Sequence, residues 1–579
     1  MKVGNLFNTA LFLIAFSLVT DAYAKNINEI NQTQYQQFKQ HIEQLTAQKS
    51  RPFTPLKQEI QTNIDKIVEN ETPCFIINEL QIKTPNDARS TFIDSISHLR
   101  KGKYSIIGQC IGLQGLNQIS RSIQNKLLEQ GYITSQAIIQ SQDLTTGNLV
   151  ITIIPGRLNN ILMSNHSTKK VTTYNALTLK SGDIINLRDI ETSLENLRLP
   201  QSANVNIQVI PSINENSDPD NGISDFILNY KRTFPLHFNV NIDDSGSKDT
   251  GKYKATFSSV VDNPLNINDV LDLSYSHTIE QWNHTQTKSN SSNFYVGYTL
   301  PIKNWMLSFS HSNHNFHQTL IGLNNDIVYS GKTIQEQVEL QRILYRNSEL
   351  KTSMTLGGYY KKSQNFFDDE EIEVQRRKSF AWSFGLQHQY QTKLGDIKFG
   401  IKYQHGTGAF SAIPAPESYV SNVESKPSIW SINASWQYPF QLLNQPYQYK
   451  INIFGQYSRH HLIPQDLLSI GGRYSVRGFD GEYSLSGEKG LVVQQELGRL
   501  VRLSSIKNIT LMPYLTLDYG FVSGESTRHL AGKSLAGSTL GVKIFGSHLS
   551  LDAFIGYGIK APKKIKKDLV TGFKVSIFY

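Results

Sequence analysis

The sequence predicts two architectures in one chain: α+β domains in the N-terminal part, then an all-β transmembrane barrel of about sixteen antiparallel strands. Three observations predict it. From Phe234 onward the apolar residues recur with a period of two. The chain opens on a secretory signal, yet carries no later apolar run of the roughly 18 residues that a spanning helix needs. Between these, residues 73–231 read as two successive rounds of strand, helix and strand.

Bulk composition agrees. A chain of 579 residues is too long for a single core and implies several domains. Charged residues make up only 18% while aromatics reach 10%, with 27 Tyr and 28 Phe. Such a chain favours strands and membrane interfaces over a charged soluble surface. The net charge of +9 is modest for this length and gives no reason to expect nucleic acid as a partner.

Met1–Ala24 reads as the signal: Lys2, an apolar run over Leu11–Val19, then Ala22-Tyr23-Ala24 as the cleavage site. In residues 25–47, Ile27, Ile30, Phe38, Ile42 and Leu45 recur at helical spacing, predicting one amphipathic helix. A Pro- and Lys-containing linker follows over residues 48–72. Cys74 and Cys110 are the two cysteines, and in an exported chain one disulfide is their simplest reading.

Residues 73–155 predict a strand at Phe75–Ile82, helices at Asn86–Leu99 and Leu116–Glu129, and strands at Gln136–Gln140 and Leu149–Ile154. Gly131 stands just past the second helix, the position that ends helices in a left-handed turn. A second, shorter β-α-α-β-β round fills residues 156–231. It begins at Arg157–Met163, has a helix at Leu187–Leu197, and closes with Asn204–Val209 and Ser224–Tyr230.

Residues 232–579 supply the barrel. Outward candidates include Val270 with Leu271, Leu273 and Tyr275; Phe294, Val296, Tyr298 and Leu300; Trp382, Phe384 and Leu386; Trp430, Ile432, Ala434 and Trp436; and Leu549, Leu551, Ala553, Ile555 and Tyr557. The last strand sets Phe573, Val575, Ile577 and Tyr579 on one face. Between strands eleven and twelve lies a loop of about residues 459–489. Gly471, Gly472 and Gly481 flank its Val476-Arg477-Gly478-Phe479 tetrapeptide, which predicts unusual backbone geometry around a permanent cation. Downstream, Leu511, Pro513, Leu515, Leu517, Tyr519 and Phe521 form one face of a strand. If that face meets lipid, Asp518 points into the lumen, within reach of a returning loop.

This set of residues resembles the outer-membrane transporter of two-partner secretion, in the POTRA-barrel superfamily. Val476–Phe479 matches the family's V-R-G-[FY] loop tip, and Asp518-Tyr519-Gly520 matches the end of its F-x-D-x-G strand motif. Thr516 stands where that motif has Phe. Gly131–Ser135, Gln142-Asp143-Leu144, Gly147-Asn148-Leu149 and the seam at Ile154-Pro155-Gly156 resemble the family's first POTRA domain.

The resemblance implies POTRA domains at 73–155 and 156–231, a helix at 25–47 that plugs the barrel, and an Arg477–Asp518 pair inside it. Tyr579, where the family most often has Phe, would be the signal read by the barrel assembly machinery. The implied activity is export of a large partner exoprotein (a haemolysin, an adhesin or a contact-dependent inhibition toxin) from periplasm to cell surface. The POTRA domains recognise that partner, no nucleotide is hydrolysed, and the transporter acts as a monomer in outer-membrane lipid. A barrel assembly and insertion factor of the same superfamily is the alternative.

Motifs for nucleotide binding, zinc proteolysis and dinucleotide binding are absent from the sequence, so neither catalysis nor a cofactor is expected. His311, His314 and His317 are the best metal candidates. Alternation puts His314 on the opposite face from the other two, and no metal is expected there or at His460-His461. The acidic run Asp368–Glu371 and the basic cluster Lys560, Lys563, Lys564, Lys566 and Lys567 read as surface loops, the basic one outside the cell near lipid phosphates.

Overall fold

The computed structural model describes residues 71–579 except 102–104, 166, 169–170, 213–221, 280–288, 321–325, 420, 504–507 and 564. The signal segment, the helix expected at 25–47, residues 48–70 of the linker and Lys564 lie outside the described residues.

The first domain is a three-stranded sheet under a helix. Glu79–Lys83 runs parallel to Asn148–Ile154, which pairs antiparallel with Gln136–Ile138. Helix Leu113–Glu129 buries Ile119, Ile123 and Leu127, residues four apart on one stripe. Glu71 accepts from the N–H groups of Gln114 and Gly115 at 2.9 and 3.0 Å, satisfying donors that the first turn leaves open. The stretch expected as one helix at Asn86–Leu99 is a run of short 3-10 and α turns through Arg100. The hydroxyls of Ser95 and Ser97 donate to the carbonyls of Phe92 and Asp94, a local bonding that competes with a continuous helix. Cys74 and Cys110 form a disulfide, Cα–Cα 5.3 Å, that staples strand Phe75–Ile76 to Cys110–Ile111.

In the second domain Ile223–Arg232 is the central strand, parallel to Arg157–Met163 and antiparallel to Ala203–Pro211. Among the described residues it has one helix, Leu187–Leu197, rather than the two of the expected round. Irregular chain takes the other's place and buries Ala176, Leu177, Leu179 and Ile185, so the apolar residues fill the core without helical periodicity.

The remainder is a closed antiparallel barrel of sixteen strands. They are β1 Leu236–Asp243, β2 Tyr253–Asp262, β3 Val270–Ile279, β4 Asn290–Ile302, β5 Trp305–Leu320, β6 Ile327–Arg346, β7 Leu350–Phe367 and β8 Arg377–Thr392. Then come β9 Gly395–Thr407, β10 Ser428–Leu442, β11 Gln445–Tyr457, β12 Lys489–Arg499, β13 Thr510–Ser523, β14 Ser534–Phe545, β15 Leu549–Lys560 and β16 Val570–Phe578. β16 pairs with β1, so no edge is left open.

Alternation sorts the two faces. Leu515, Leu517, Leu540 and Ile577 lie 52–60% exposed on the outside, while Ser274, Ser276, Asn293, Ser312 and Thr333 are buried on the inside. A continuous apolar outer band around a polar interior fits lipid, not water. No described helix is long and apolar enough to cross a membrane. Val270 departs from expectation. It is 9% exposed and shares the inward parity of Ser274 and Ser276, leaving Leu271, Leu273 and Tyr275 outside.

The second domain grips three barrel turns at its end of the cylinder. Asn175 Nδ2 donates to the Pro301 carbonyl at 3.0 Å and Asn268 Nδ2 to that of Thr172 at 2.7 Å. Around the β6–β7 turn, Arg346 meets Glu191 at 3.1 Å and Glu195 at 2.9 Å, and Lys351 meets Glu195 at 3.3 Å. All four side chains are at most 4% exposed. Charges so deeply buried are stable only with their partners present.

Candidate functional site: the lumen loop

Between β11 and β12 the chain turns back into the barrel. A short ladder, Leu468–Ile470 against Leu485–Gly487, forms its neck. Gly471, Gly472 and Gly478 carry φ of 119°, 117° and 103°, a region that side chains rarely adopt. These glycines make the sharp reversals that bring Arg477 to the wall.

Arg477 is held there by a planar fork. Its Nε and Nη2 donate to Asp518 Oδ2 and Oδ1 at 2.7 and 2.8 Å, and its backbone N–H reaches Oδ2 at 2.9 Å. Nη1 donates to Glu496 Oε2 at 2.9 Å and Nη2 to the Gln495 carbonyl at 3.1 Å. Lys543 donates to the other oxygen of Glu496 and lies 4.5 Å from the Tyr514 ring. Asp518 is fully buried, so desolvation makes each of these contacts matter more than it would at a surface. Thr516 bonds Thr539 through their hydroxyls at 2.7 Å, a polar pairing where the motif has an aromatic ring.

The wall under the loop is paved with inward-facing glycines. A Cβ at Gly537 would lie 2.0 Å from the Arg477 carbonyl, and one at Gly520 2.7 Å from Val476 Cγ2. A Cβ at Gly558 would meet the Phe479 ring at 2.6 Å, and Gly556 lies directly under Gly478. Only hydrogen at these positions lets the backbone tip lie against the strands. Val476 and Phe479 then join Ile470, Leu485, Val492, Val522 and Leu535 in an apolar cluster inside the cylinder.

Thus the structure brings together Val476, Arg477, Gly478, Phe479, Asp518 and Gly520. Glu496, Lys543, Gly537, Gly556 and Gly558 were not singled out from sequence. Glu496 was within reach of it, because in β12 it shares the parity of Val492 and Gln494. The cross-strand glycines become neighbours only once the register is known.

The other candidates lie elsewhere. Tyr579 is 77% exposed, and its backbone exchanges hydrogen bonds with Phe238 of β1 at 3.0 and 3.1 Å. His314 is buried against Asn293 at 2.7 Å, whereas His311 pairs with Glu336 at 3.3 Å. His461 sits 3.7 Å from Glu488. Among the described residues no three His, Cys, Asp or Glu side chains converge as a metal site. Asp368 and Asp369 form the β7 turn, and Lys560, Lys563, Lys566 and Lys567 lie at the β15–β16 loop.

The family signature of the haemolysin secretion/activation proteins ShlB/FhaC/HecB matches residues 222–544, more than half of the chain. The chain belongs to the ShlB/FhaC/HecB family. ShlB-type POTRA and POTRA signatures match residues 88–156 and 157–211. The solved structure of CdiB from Acinetobacter baumannii superposes with a TM-score of 0.83 at 33% identity, covering 95% of this chain and 99% of that one. The outer membrane transporter CdiB-2 of Burkholderia pseudomallei (strain 1026b) is 28% identical over 515 residues, 86% of this chain and 84% of its own. The outer membrane transporter CdiB of Dickeya dadantii (strain 3937) is 25% identical over 574 residues, 98% of each chain.

As a ShlB/FhaC/HecB member, the barrel spans the outer membrane and its two POTRA domains hang in the periplasm. The turns gripped by the second POTRA domain are therefore periplasmic. The loops after β1, β7 and β15 face outward from the cell.

Proposed function

We propose that this protein is the pore through which a large partner exoprotein passes from periplasm to cell surface. The observation that carries the reading is a closed sixteen-strand barrel, joined to POTRA domains, whose lumen holds the Arg477 tip against Asp518. The partner arrives unfolded, and the POTRA sheets, with strands open at their edges, recognise it through backbone pairing that tolerates varied side chains. It threads a polar lumen in which Ser, Thr, Asn and Gln stand among Lys, Arg, Asp and Glu side chains, groups that hydrogen-bond to an extended chain without fixing its sequence. Folding outside then disfavours return, so no nucleotide is needed.

Arg477 and Asp518 hold the loop in the conformation that keeps the conduit competent. Tyr579, at the exposed periplasmic end of the seam, serves the barrel's own insertion by the assembly machinery. One chain forms the whole pore, since β16 closes on β1 of the same molecule.

Deleting the gene tests the reading. Export predicts that the partner disappears from the cell surface while porin levels hold, and that this chain alone restores it. Misassembled porins with normal secretion would support the assembly-factor alternative instead.

A further inference from the structure

The outer wall changes character where β6, β7 and β8 approach the cell surface. Lower down, its outward positions are apolar, with Met354 and Leu356 on β7 and Leu386, Phe384 and Trp382 on β8. Higher up, three lysines take those positions. On β7, Lys361 and Ser363 turn inward, to Asp466 at 3.2 Å and Thr333 at 3.0 Å. Lys362 between them therefore turns outward. Register sets it directly opposite Lys378 of β8, which shares the parity of the exposed Trp382 and Phe384, and one diagonal from Lys332 of β6. Lysines facing each other across neighbouring strands, about 5 Å apart at Cβ, repel and destabilise a sheet.

The chain does not supply the countercharge. The neighbouring carboxylates are already engaged: Glu336 pairs with His311 at 3.3 Å, and Arg376 forks onto Glu371 at 2.7 and 2.9 Å. Among the described residues no carboxylate lies within ion-pairing distance of Lys332, Lys362 or Lys378. The β9–β10 loop completes the patch. The Ile413 N–H donates to the Lys378 carbonyl at 2.9 Å, and the Phe410 ring lies 4.5 Å from that of Phe380. Phe410 is 70% exposed and holds φ at 54°, with Ser411 at 57°. Bulky side chains rarely adopt that region, and water gives no reason to keep an exposed ring there. Contact with acyl chains does.

We propose that Lys332, Lys362 and Lys378, with the Phe380–Phe410 pair, form a site on the outer wall for a phosphate-bearing glycolipid of the outer leaflet. Its phosphates lie among the ammonium groups, which reach headgroup level on apolar stems, and turn a repelling pair into a bridged one. Its acyl chains run down the rows of Leu356, Phe384 and Trp382, with the two rings at their roots. An acidic peptide or a nucleic acid offers the charge without the chains, so a lipid is the occupant that matches both halves of the patch. The inference goes beyond the export reading, and its test needs no cargo.

The test titrates diphosphorylated lipid A into the full-length protein in detergent and counts the complex by native mass spectrometry. Lys362→Gln combined with Lys378→Gln should weaken binding roughly tenfold. Stripping the phosphates from the lipid should cost the parent a similar factor and this variant almost nothing, as expected of one shared contact. Phe410→Ala should weaken binding about threefold and keep the phosphate dependence. Lys231→Gln with Lys393→Gln, which removes the same charge on the periplasmic side, should change nothing. Free pyrophosphate should not compete, which separates a lipid site from a phosphate site. Melting of the barrel guards against misfolding. Without glycolipid the Lys362/Lys378 variant should melt no lower than the parent, because a repulsion has gone, and only the parent should gain when glycolipid is added. Parental affinity in that variant, an equal loss in the periplasmic control, or competition by pyrophosphate would overturn the proposal.

Discussion

Arg477 and Asp518 face each other as fork and carboxylate, two parallel bonds of 2.7 and 2.8 Å, inside a cylinder whose outer face meets lipid. Their sequence separation of 41 covers the loop's return to the surface and a whole β12 strand. Bidentate geometry fixes direction as well as distance, which a lysine at the same place would not. Glu496 holds the far side of the guanidinium and is itself shared with Lys543, so two carboxylates face two cations.

The glycine floor makes the seat steric as well as electrostatic. Gly537→Ala puts a methyl group 2.0 Å from the Arg477 carbonyl, and backbone cannot yield there without lifting the tip. Overpacking of this kind costs about 1–3 kcal/mol. Gly537→Ala should thus unseat the loop with Arg477 and Asp518 both intact. Cysteines at 479 and 558 should then cross-link at least about fivefold more slowly than in the unsubstituted background.

Glu195 is the hinge pin of the POTRA–barrel joint, shared by Arg346 and Lys351. Removing one member of a buried ionic cluster costs about 3–5 kcal/mol. Glu195→Ala should loosen the second POTRA domain against the periplasmic turns, seen as faster limited proteolysis near residues 232–235. The heat-modifiable migration of the barrel should not change.

The disulfide acts on a different part. Cys74→Ser with Cys110→Ser frees a loop with a sequence separation of 36 and should cost the first POTRA domain about 3–4 kcal/mol. In a thermal scan of the full-length protein, the periplasmic transition should move down while the barrel transition stays put.

His98, half-buried beside Ser122 at 2.9 Å, is pushed below its ordinary value of 6.5 by burial and then by Lys126. The unfolded chain therefore takes up the proton first. Stability from the neutral ring is complete above about pH 6.5 and declines as pH falls toward the lower folded value. The first POTRA transition should accordingly drop in this window, and His98→Gln should flatten the dependence.

Much of this was legible in the residues, for identifiable reasons. Alternation gave the barrel, an approximate strand number and the inward aim of Asp518, because a β-strand leaves a side chain only two directions. The loop tip was legible because the Val476-Arg477-Gly478-Phe479 tetrapeptide lies among glycines in a strand-rich region, an unusual combination. Register was not legible, and everything that depends on it was lost: the floor at Gly537, Gly556 and Gly558, and the meeting of Arg473 with Asp244 across more than two hundred residues. Val270 was misplaced because apolar character at the start of a strand does not reveal parity. The missing helix of the second POTRA domain went unseen because its apolar residues are buried in irregular chain. The docking of Glu191 and Glu195 was hidden too, since a helix of mixed polarity gives no hint that its charged face is covered.

The most direct measurement is surface delivery of the partner exoprotein by cells carrying either Arg477→Ala or Asp518→Ala as the sole copy, with equal amounts of heat-modifiable barrel in the outer membrane. The account predicts a folded pore and at least a roughly tenfold fall in delivered partner for both variants. Delivery at the parental rate by both would contradict it.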